Sequence, residues 1–151
     1  MSQFSHRPLA DVLRPTTFDE IVGQPTLQAT ALKNLRTGSL ILWGPPGTGK
    51  TTIARVLGAE SDFTFECISA VFDGVGELRK VFAGAEERAQ DGTRTILFVD
   101  EIHRFNKAQQ DALLPAVETG IIRLIGATTE NPSFSLNSAL LSRVQIIVLS
   151  S

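Results

Sequence analysis

The 151-residue sequence contains one cysteine, two histidines, one tryptophan and no tyrosine. The lone Cys67 cannot close an internal disulfide, and with only His6 and His103 there is no Cys/His cluster at zinc-ligand spacing. No apolar run approaches the ~18 residues that a membrane-spanning helix needs, and Met1–Leu13 lacks the apolar core of a signal peptide. Charge is balanced: 14 basic residues against 16 acidic ones leave a net charge of −2, which is no electrostatic footprint for nucleic acid. Any DNA contact must therefore be local or shared. These absences predict a cytoplasmic protein with no membrane association, in a reducing compartment. What remains, 42% hydrophobic and 20% charged residues in a chain long enough for one domain, fits a folded globular protein.

Short apolar runs of β type alternate with stretches of helical spacing, the pattern of βαβ units and a parallel sheet. Five strands are predicted: Ser39–Trp43, Phe63–Ile68, Thr95–Asp100, Ile121–Thr128 and Val144–Leu149. Thr26–Arg36, Lys50–Gly58 and Val75–Gln90 read as amphipathic helices, the last placing Leu78, Val81, Phe82, Ala85 and Ala89 on one side. Asn106 can cap a further helix, which Pro115, lacking an N–H, should kink or end near Leu114. Residues 1–24 read as an extended lead-in and 25–151 as the α/β core. Cys67 is expected in the core, Trp43 in the sheet and His103 on a polar loop.

Directly after the first strand, Gly44-Pro45-Pro46-Gly47-Thr48-Gly49-Lys50-Thr51 fits G-x-x-x-x-G-K-[ST] and opens a helix, the setting that a phosphate-binding P-loop requires. Its glycines let backbone N–H groups turn inward around phosphate oxygens, and the helix N-terminus adds partial positive charge there. Lys50 is placed to reach the β- and γ-phosphates and Thr51 a Mg²⁺ ion, with Thr52 following in the first turn. The strand Ile96-Leu97-Phe98-Val99 ends in Asp100-Glu101. Consecutive strand residues point to opposite faces, so the two carboxylates can serve different partners: Asp100 the metal, Glu101 the attacking water. Alone, two acids at a strand end would be an ordinary solvated terminus. Beside a P-loop they indicate hydrolysis of ATP or GTP.

Leu13-Arg14-Pro15, Val22-Gly23-Gln24, the P-loop, Val99-Asp100-Glu101-Ile102-His103-Arg104 and Gly126-Ala127-Thr128-Thr129 together resemble an AAA+ ATPase of the clamp-loader branch. More closely, Arg104-Phe105-Asn106-Lys107-Ala108-Gln109-Gln110-Asp111 and Ala127-Thr128-Thr129-Glu130-Asn131-Pro132-Ser133-Phe134 resemble the replication-associated recombination protein A family, which includes the Werner helicase-interacting protein. The resemblance runs from about Leu9 to Leu149. It implies a three-layer αβα P-loop fold with a five-stranded, mostly parallel sheet, the large AAA+ subdomain without its helical lid. It implies ATP and Mg²⁺ as cofactors, and a homo-oligomer that acts on DNA and with replication and repair proteins at stalled forks.

Residue by residue, the resemblance makes Thr129 the sensor of the γ-phosphate, with Thr128 the alternative. Arg143, after Ala139-Leu140-Leu141-Ser142, matches a finger acting on a neighbouring subunit's ATP, and Val22-Gly23 the stretch lining the adenine pocket. The chain departs from the family in having only Gln24–Gly38 before the P-loop strand and in stopping two residues after the last one. The first helix is thus expected to be short, and the chain truncated before a lid that normally brings another arginine. A nucleotide-binding interaction module without turnover and a Holliday-junction branch-migration motor are the alternatives. A P-loop small-molecule kinase leaves Glu101 and Arg143 unexplained.

Overall fold

The computed structural model describes residues 38–149; the predicted lead-in, the helix over Thr26–Arg36 and the adenine-pocket candidates Val22 and Gly23 lie outside them. Within this span all five predicted strands form: β1 (Ser39–Trp43), β2 (Thr64–Ser69), β3 (Thr95–Asp100), β4 (Ile122–Thr128) and β5 (Val144–Val148). They pair in parallel in the order β2-β3-β4-β1-β5. Parallel neighbours need crossovers, supplied by α1 (Lys50–Ala59), α2 (Val75–Gln90) and α3 (Lys107–Thr119), and after β4 by the short α4 (Pro132–Ser135) and α5 (Ser138–Leu141).

Alternation along the strands sorts the core into two layers. Leu40, Leu42, Ile96, Phe98, Ile125 and Ala127 pack with Ile53, Ala54, Val56 and Leu57 of α1 on one face. Ile41, Leu97, Val99, Ile122 and Leu124 pack on the other with Leu78, Val81 and Ala85 of α2 and Leu113, Ala116 and Val117 of α3. The central strands read as continuous apolar runs because both faces are covered. Arg88, near the end of α2, donates to Glu66 at 3.0 Å and to the buried Thr95 at 3.0 Å, tying that helix to β2 and β3.

Two expectations are corrected. α3 begins as expected, at an Asn106–Gln109 capping box, but runs through Pro115 to Thr119 and ends where Gly120 takes the left-handed conformation, φ 78°. Pro115 and Asp111, whose carbonyl loses its helical donor, are both exposed, while Leu113, Ala116 and Val117 hold the helix to the core. Cys67 is exposed rather than buried, because β2 is an outer strand among the described residues and Phe63 and Phe65 take the places against the α1 layer.

The chain's passage from β1 out to β2 and back leaves β3, β4 and β1 side by side. Three loops far apart in sequence therefore leave the same edge of the sheet together, where parallel α/β sheets bind ligands.

Candidate active site

The loop after β1 is built as the motif requires. Gly47 (φ 84°) and Gly49 (φ 78°) both take left-handed backbone, which a side chain would resist, and this turns the loop over the start of α1. Thr48 Oγ1 donates to the Pro45 carbonyl at 2.9 Å, and the Gly44 amide donates to the Thr128 carbonyl at 3.1 Å, fastening the loop to β4. Gly49 caps α1 without a side-chain bond, and no acidic residue occupies the first turn, so the amides there remain available to an anion. Lys50 Nζ donates to the carbonyls of Gly44 at 2.8 Å and Pro45 at 3.0 Å. Burial pushes this ammonium below the usual lysine range, and the carboxylate of Asp100 acts in the opposite direction.

β3 delivers Asp100 half-buried at its end. Glu101 then departs from the expected strand geometry: at φ 53°, ψ 48° it is the one non-glycine residue with positive φ among those described, and it starts a one-turn 3₁₀ helix, Ile102–Arg104. The face-to-face alternation expected for Asp100 and Glu101 is thereby lost, and both carboxylates line one cleft. Beneath the turn Ile102 is fully buried. A Cβ on Gly126 of β4 would lie 2.7 Å from Ile41 Cδ1 and 3.0 Å from Ile102 Cδ1, so the turn sits as close as it does because that position has no side chain.

β4 ends in Thr128, 1% exposed, followed by the exposed Thr129. The Thr128 hydroxyl is engaged by the Glu130 backbone and by His103 Nδ1 at 2.8 Å. His103, expected on a polar loop, lies in the one-turn connection between β3 and α3 and is tied there to β4. With Thr128 turned inward, Thr129 is the one whose side chain is exposed at the cleft. The cleft, about 410 Å³, is lined by Pro46, Gly47, Gly49, Lys50, Thr51, Asp100, Glu101, Ala127, Thr128 and Thr129. Gly44, Pro45, Thr48 and Thr52 are not among its lining residues.

Arg143 lies elsewhere. It precedes β5, so it sits at the edge of the sheet opposite the P-loop, half exposed and 3.2 Å from Glu118. A further buried polar residue was not singled out from the sequence. Gln110 is buried; its Nε2 donates to the carbonyls of Phe105 (3.1 Å) and Ser135 (3.0 Å), and its Oε1 accepts from the amide of Asn137 (2.7 Å). The one polar residue at the Gln110, Leu113, Val117 spacing of α3 was the available signal. Phe134 is 89% exposed.

A parallel sheet with a P-loop after one strand and paired carboxylates after another defines a P-loop nucleotide-binding domain. The chain belongs to the ATPase family associated with various cellular activities (AAA), whose family model matches residues 40–151. It is 51% identical over 156 residues to replication-associated recombination protein A of Escherichia coli K12, covering 99% of this chain and 35% of that protein. It is 49% identical over 148 residues to the ATPase WRNIP1 of Dictyostelium discoideum, covering 94% of this chain and 17% of that one. Among solved structures, the RuvB Holliday junction branch migration motor of Thermotoga maritima superimposes with a TM-score of 0.71 at 32% identity, over 92% of this chain and 48% of that one. The chain thus spans about a third of the length of the bacterial recombination protein.

Proposed function

We propose that this chain binds MgATP and hydrolyses it as the α/β motor part of a cytoplasmic homo-oligomer acting on DNA, with replication and repair proteins, in replication-fork maintenance and recombination. The observation that carries this reading is the convergence on one cleft of the P-loop, Asp100, Glu101 and Thr129. Amides of the Gly47–Thr51 stretch and the Lys50 ammonium meet phosphate oxygens, Lys50 exchanging loop carbonyls for them. Thr51 and Asp100 both line the cleft and offer oxygen ligands, the kind that Mg²⁺ prefers, and would hold it. Bound there, the ion supplies positive charge to the phosphates. Glu101 polarises the attacking water, and Thr129 contacts the γ-phosphate or orients that water.

Arg143, at the far edge of the sheet, is remote from its own cleft and is read as completing the cleft of a second copy. The recombination relatives, at about half identity, support the fork role more strongly than RuvB at 32% supports a branch-migration motor.

The test is phosphate release from MgATP as a function of protein concentration. Specific activity that rises with concentration, and is lost in Arg143→Ala, is the expected result. Flat background turnover with nucleotide binding confirmed in the same samples would replace it with a binding module lacking turnover.

A further inference from the structure

We infer that His103 is a positioning residue for hydrolysis: its bond to Thr128 fastens the turn carrying Glu101 to the strand end carrying Thr129, so that the two act as one unit. The inference rests on the roles proposed above for those two residues. Glu101 holds left-handed backbone without being glycine, a conformation that persists only where the surroundings over-determine it. Inside the turn, the Arg104 amide donates to the Glu101 carbonyl at 2.8 Å and the Phe105 amide to the Ile102 carbonyl at 3.0 Å. From outside, Ile102 and His103 both bear on β4: Ile102 against Gly126, His103 on Thr128. The apolar contact is non-directional. The hydrogen bond is not, and it sets the rotation of the turn about that contact.

The Thr128 oxygen has one proton and two lone pairs. Its proton goes to the Glu130 carbonyl at 3.1 Å, and one lone pair takes the Glu130 amide at 3.0 Å. The same oxygen lies 2.8 Å from His103 Nδ1, a hydrogen bond in which the ring donates or accepts according to its tautomer. The same hydroxyl therefore shapes the Thr128–Glu130 turn that presents Thr129 and holds the turn that presents Glu101. Nothing in the sequence signals this pairing, since 25 residues separate its partners.

Two measurements on the full 151-residue chain test it. Long-range ¹H–¹⁵N NMR of the nucleotide-free chain should find the His103 Nδ1 resonance displaced in Thr128→Val relative to the parent; an unchanged Nδ1 resonance would overturn the bond. Steady-state kinetics should then show His103→Ala lowering kcat by about tenfold to a hundredfold with KM and ATP affinity within about twofold of the parent. His103→Asn, which can place an amide nitrogen where Nδ1 was, should recover most of the loss. An unchanged kcat in His103→Ala, or an equal loss in both variants at parental thermal stability, would overturn the role. Should His103→Ala fail to fold, Thr128→Val against Thr128→Ser poses the same question, with turnover lost in the first and kept in the second. A parent that binds MgATP without turning it over would overturn the hydrolysis reading and the positioning role with it, while the Nδ1 resonance would still decide the bond.

Discussion

Glu101 and Asp100 are neighbours in sequence with different proposed tasks, and the backbone is what separates them. Asp100 still belongs to β3, whereas Glu101 has stepped into left-handed geometry, so both carboxylates reach the cleft from different heights of the chain. Glu101→Gln preserves size and backbone while removing the base, and its turnover is expected to fall by about 10² or more with MgATP affinity retained. Equilibrium binding of a fluorescent ATP analogue, set beside phosphate release, checks both halves. Equal turnover in variant and parent would remove Glu101 from the chemistry. Lys50 illustrates the opposite economy: held against carbonyls and partly desolvated, it is a charge that the phosphates relieve.

At the level of elements, α3 and the turn before it transmit position from the core to the cleft. Gly126→Ala adds a Cβ into side-chain atoms of Ile41 and Ile102 at 2.7 and 3.0 Å. Overpacking of that kind is expected to cost about 1–3 kcal/mol in denaturant unfolding. Because Ile102 follows Glu101, turnover should fall further than ATP affinity. Pro115 tests the helix itself. It interrupts an otherwise regular α3 on the exposed side, so Pro115→Ala should restore the bond to the Asp111 carbonyl and stabilise the chain by about 1 kcal/mol or more, read as a higher denaturation midpoint. A lower midpoint would show that the proline ring packs in a way that its exposure does not suggest.

For the whole molecule, a net charge of −2 predicts that this chain alone binds DNA weakly and with a shallow dependence on salt. Fluorescence titration with labelled DNA at two salt concentrations measures this, and tight, salt-resistant binding would contradict it. The sequence by itself determined the alternating α/β class, all five strands to within about a residue or two, and the P-loop with its acidic pair. Those features are written locally: both-face burial makes continuous apolar runs, and a phosphate cradle needs glycines and a lysine at fixed spacing. Only the tertiary structure decided that Cys67 is exposed on an outer strand, that α3 passes through Pro115, that Glu101 leaves the strand pattern, and that His103 bonds Thr128 while Gln110 ties Phe105 to the Ser135–Asn137 segment. Strand order and the approach of distant loops set each of these. A parallel sheet joins residues through crossovers, so its contacts at the ligand-binding edge are non-local and leave no periodic trace in the chain.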